Sequence, residues 1–167
     1  MLDAKLVGNL IKTLQYENHT YAGLLNLAEE KTEYLVKNDT VSVSKITADE
    51  NKMVEQAGQL GKVREQCVLK ICEELCFDKI NTIDEIRKSL PKGQGDTLGG
   101  MREKLRETVL KLVVRNGINQ KLIENALKYI NFNLELMASP APETPVYGKS
   151  GQELPAGRKR SLLDIKY

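Results

Sequence analysis

A chain of 167 residues with a net charge of +2, 29% charged residues, 5% aromatic residues and no Trp suits one domain made of helices with solvated faces. A sandwich or barrel would draw on more β-branched and aromatic residues. No apolar run is long enough to cross a bilayer, and the start MLDAKLVGNL lacks the basic opening and apolar block of a signal peptide, so a cytoplasmic protein is expected.

The first predicted helix runs from Leu2 to Lys37. Val7, Leu14, Tyr21, Ala28 and Leu35 form a ladder at heptad spacing, joined by Leu10, Ile11, Leu24 and Leu25, which is a coiled-coil-like seam. The break Lys37-Asn38-Asp39-Thr40 reads as a tight reversal in which Asp39 or Thr40 caps the next helix. That second helix is expected from Val41 to Cys76, with Ile46, Met53, Val54, Ala57, Leu60, Cys67, Ile71 and Leu75 on one stripe. Its opening VSVSKIT is β-prone and predicts a late first turn.

Phe77 to Leu90 is a connector holding a short helix, Ile83 to Leu90, with Thr82 and Glu85 as its capping box. Pro91 to Gly95 is predicted to end it, and a third long helix opens at Asp96 or Thr97 and runs to Met137. Its stripe is Leu98, Met101, Leu105, Val109, Leu112, Val113, Leu122, Ile123, Ala126, Ile130 and Met137, in phase across Asn116-Gly117, which is read as a weak point within one helix. Asn116, Asn119 and Asn133 lie at or beside this seam; each either fixes register from a buried position or faces outward toward a partner. The expected fold is therefore all-α, an elongated antiparallel bundle of three long helices with a short connecting helix over 1–138 and an extended tail over 139–167.

Chemistry is sparse. One histidine, His19, leaves little room for Ser/His or Cys/His catalysis, and the carboxylates lie in mixed runs with Lys and Arg, the pattern of solvated helix faces. Cys67, Cys72 and Cys76 share one helical stretch with no histidine near and are read as small buried apolar residues. The glycines at 93, 95, 99 and 100 lack the GK[ST] ending of a phosphate loop and are read as an interhelical loop. No enzyme, cofactor, metal or small-molecule substrate is expected.

The tail carries four of the five prolines, and it sets Val146, Tyr147, Leu154, Leu162, Leu163, Ile165 and Tyr167 between turn residues. It also holds the whole excess of positive charge, with the run Arg158-Lys159-Arg160. The rest of the chain is neutral and lacks the dense basic face of a nucleic-acid binder. Short apolar anchors in a Pro/Gly-containing, flexible segment suit a stretch that gains order on binding a partner.

The stretch NQKLIENALKYINFNLELM, the Pro-rich break, VYGKSGQ and the basic run after it resemble the FlgN-type flagellar export chaperones, most clearly from Asn116 to Tyr167. The resemblance implies a type III export chaperone of the flagellum with two working surfaces and no membrane insertion. The end of the third helix (Leu122, Ile123, Ala126, Tyr129, Ile130, Asn133, Leu134 and Met137) would receive the amphipathic C-terminal helix of hook–filament junction subunits. The motif Tyr147, Gly148, Gly151 and Gln152 would dock on the cytoplasmic domain of the export gate. Residue patterning alone leaves a second class open, a coiled-coil scaffold or adaptor with a C-terminal binding motif and no client to release.

Overall fold

The computed structural model describes residues 4–76 and 83–138. Among the described residues four helices follow one another: α1 (Ala4–Val36), α2 (Thr40–Glu74), α3 (Ile83–Lys88) and α4 (Lys92–Ala138). The protein is all-α. It divides into two compact units, Met1–Leu122 and Ile123–Tyr167.

In the first unit, α1 ends in a left-handed residue, Asn38 at φ 55°. The Asn38 amide donates to the Leu35 carbonyl and the Asp39 amide to the Tyr34 carbonyl, the paired bonds that close a helix C-terminus. Asp39 then caps α2 at once, since its carboxylate accepts from both the amide and the hydroxyl of Ser42. This cap overrides the β-prone opening, and α2 starts at Thr40 rather than later. At its other end α2 stops at Glu74, and Cys76, two residues on, is also left-handed at φ 52°.

The two helices run antiparallel, as the pairs Lys31–Glu50 (2.7 Å) and Glu17–Arg64 (3.5 Å) require. Helix α4 runs alongside α1 in the same direction, because Asn18 bonds the Met101 carbonyl and Asn119 bonds the Ala28 carbonyl. The order is up, down, up.

The expectation for the start of α4 was wrong by a turn. Pro91 stands just before it, and its carbonyl accepts from the Gln94 and Gly95 amides, so Gly93 to Gly100 are helical rather than a loop. Proline needs no amide partner at a helix start. The glycines have a packing role instead. A Cβ at Gly95 would stand 2.9 Å from the Arg87 carbonyl oxygen, and one at Gly99 would stand 2.6 Å from Arg87 Nη1. The pair makes a notch into which the end of α3 settles.

The apolar core lies where the start of α1, the end of α2, α3 and the start of α4 converge. Val7, Leu10 and Leu14 meet Cys67, Ile71 and Cys72, closed by Ile86, Leu90, Leu98 and Leu105. Within the first unit Val54 and Val113 of the expected stripes are exposed instead, and so is Cys76; beyond it Ile123, Ala126, Ile130 and Met137 of the third stripe are exposed too. With α4 alone covering the pair of α1 and α2, a stripe wide enough for four-helix packing is not needed, and its outer members stay in solvent. Toward the other end of α1 the contacts turn polar. Asn119, 4% exposed, donates to the Ala28 carbonyl at 2.8 Å. The Thr32 hydroxyl lies 2.6 Å from Asn119 Oδ1 and 3.0 Å from the Ala28 carbonyl oxygen. Of the readings open for the three asparagines, Asn119 takes the buried one, whereas Asn116 is exposed. Helix α4 is continuous through Asn116-Gly117.

Candidate functional site

The final turns of α4 carry most of the protein's unusual surface. Among the expected client-binding residues, Ile123, Ala126, Tyr129, Ile130, Leu134 and Met137 are exposed, and Leu122 and Asn133 are half-buried. Tyr129 is 69% and Met137 82% open to solvent. Three further apolar side chains, Leu127, Phe132 and Leu136, are exposed in the same stretch and were not part of the expected set.

Helical geometry sorts these residues. At 3.6 residues per turn, Ile123, Leu127, Ile130, Leu134 and Met137 form one stripe, spaced by fours and threes. Tyr129, Phe132 and Leu136 form a second. Leu122, Ala126 and Asn133 lie between the two and make a low saddle. The apolar arc thus covers more than half the circumference of the helix. Asn125 interrupts the second stripe, and Lys121, Glu124, Lys128, Asn131 and Glu135 occupy the remainder. Of the second stripe the expected set held Tyr129; Phe132 and Leu136 follow it at three and four residues' spacing, a signal present in the sequence.

A helix apolar over so wide an arc is normally covered. No residue from Gln120 to Ala138 is buried. The arrangement offers an adaptable, largely aliphatic surface with a tyrosine and a phenylalanine at its margin, suited to the apolar face of another helix. Among the described residues no cluster of His, Cys, Asp or Glu could hold a metal ion, and no helix is long and apolar enough to cross a membrane. The expected gate-docking residues Tyr147, Gly148, Gly151 and Gln152, like the whole of 139–167, lie outside the described residues.

The described residues thus form a helical protein whose last turns present an exposed apolar arc. The model of the FlgN protein family matches residues 1–155, and the chain belongs to that family, one of chaperones in flagellar assembly. It is also similar to the uncharacterized protein YvyG of Bacillus subtilis (strain 168), with 28% identity over 144 residues, 86% of this chain and 88% of that protein. No solved structure matches.

Proposed function

We propose that this FlgN-family chain is a cytoplasmic chaperone of the flagellar type III export system whose clients are the hook–filament junction subunits. It holds the amphipathic C-terminal helix of a client against the end of α4, keeps the client unassembled and delivers it to the export gate. The observation that carries this reading is the uncovered apolar arc of Ile123 to Met137. A client helix laid along Ile123, Leu127, Ile130 and Leu134 would remove its own aggregation-prone face from water together with theirs. Tyr147, set between Pro145 and Gly148, suits the second task, since a tyrosine gives a large contact with few rotatable bonds. Arg158 to Arg160 would steer that segment toward an acidic surface of the gate.

Calorimetric titration of the full chain with the C-terminal segment of a junction subunit tests the proposal. Saturable one-to-one binding is expected. A folded protein that gives no heat with such segments, and instead self-associates, would favour a coiled-coil scaffold.

A further inference from the structure

A second surface lies in the first unit, well separated in sequence from the client site. Between α1 and α2 runs a furrow of about 410 Å³, within the range of sites that seat ligand-sized groups. Its cause is local. Thr13 and Cys67, both buried, are small side chains at facing positions, so the helices leave a dip between them. The Thr13 hydroxyl already donates to the Asn9 carbonyl at 2.8 Å, which leaves its methyl group as floor. Leu6, Tyr16 and Val63 supply apolar walls, and Tyr16 is 64% exposed on a face of α1 that is otherwise polar.

The rim supplies charge. Lys12 of α1 and Lys70 of α2 both line the furrow and are both exposed. Neither pairs with a carboxylate among the described residues. No acidic side chain lines the furrow. Two unpaired ammonium groups beside an apolar trough favour one occupant chemistry: aliphatic side chains flanked by carboxylates.

We propose that this furrow is a second docking surface, for an acidic amphipathic segment of another protein. Such a segment would seat one or two aliphatic side chains over Thr13 and Cys67, against Tyr16 and Val63. Its Asp or Glu residues would meet Lys12 and Lys70.

The test is an amide-resolved NMR titration of the full chain with a short acetylated peptide of three Glu-Leu-Leu-Glu repeats, alongside its Lys-Leu-Leu-Lys counterpart. The expected result is saturable shifts at Asn9, Thr13, Val63 and Gln66 with the acidic peptide alone. Binding should weaken about tenfold or more in Lys12→Glu/Lys70→Glu and stay unchanged in Ile130→Asp. Tyr16→Ser, at an exposed position, gives a second disabled variant should the charge reversal disturb the helices. Shifts confined to Ile123–Met137, equal responses to the two peptides, or no saturable shift at the furrow would each overturn the proposal. None of these results bears on whether a junction-subunit segment binds α4.

Discussion

The ladder of α1 has two places where polar residues stand in apolar positions: Glu17-Asn18 and, two heptads later, Lys31-Thr32. In each, one residue reaches α2 and the next reaches α4. Glu17 meets Arg64 and Lys31 meets Glu50, whereas Asn18 meets the Met101 carbonyl and Thr32 meets Asn119. These gaps were visible in the sequence, but their partners were not, because a polar residue at a seam position does not say which neighbour satisfies it. Glu17 is the least comfortable of the four. It is 2% exposed, and its Oε2, like Asn18 Oδ1, is buried with no protein donor among the described residues. Burial pushes its carboxyl above the ordinary value of 4.5, against the opposing pull of Arg64. A raised folded-state pKa means the folded protein holds this proton more tightly than the unfolded chain. Its contribution is fully present below 4.5 and is lost as pH rises through the raised value. Glu17→Gln should therefore stabilise the protein by about 1 kcal/mol at neutral pH, with a gain that shrinks as pH falls toward the ordinary glutamate range. Urea denaturation at two pH values reads both; an equal effect at each would contradict the burial argument.

At the scale of the element, helices α1 and α2 were legible almost to their ends because heptad spacing and the Asp39 cap are local signals. The start of α4 was not legible. Pro91 and the glycines after it carry the signature of a turn, and only the approach of Arg87 explains why a helix keeps Gly95 and Gly99. The same reasoning separates two glycines that look alike in the sequence. Gly117 is helical with open space where a Cβ would go, whereas at Gly95 a Cβ would meet backbone. Gly117→Ala should add up to about 1 kcal/mol through helix propensity. Gly95→Ala should destabilise despite the same gain, since a backbone carbonyl cannot swing aside. Thermal unfolding of the two variants should shift in opposite directions.

Over the whole molecule, the all-α architecture followed from seam periodicity and from a composition poor in aromatic residues. The candidate site was half legible. The stripe through Ile123, Ile130, Leu134 and Met137 continues the phase of the α4 core, so the sequence marked those residues as apolar without telling core from open surface. Exposure distinguishes them, because beyond Asn119 no residue of α4 is buried. It follows that Ile130→Asp should leave the thermal transition within about 0.5 kcal/mol of the parent while weakening the junction-subunit segment about tenfold or more. Tyr147→Ala should leave folding and that segment's affinity intact and weaken binding to the cytoplasmic domain of the export gate. Parallel titrations of the two variants against both partners check this. Loss of both affinities in either variant would merge the two surfaces into one.

The position of Asn119 has a further consequence for how the end of α4 comes to be helical at all. A peptide of that length is marginal as a free helix, because closing its first turn is unfavourable while each added residue is cheap. The turns around Asn119 are tied to α1 through Ala28 and Thr32, so they act as a ready-made nucleus from which the following turns propagate. A mutation at that buried amide should therefore be felt as lost helicity downstream, with every exposed side chain unchanged.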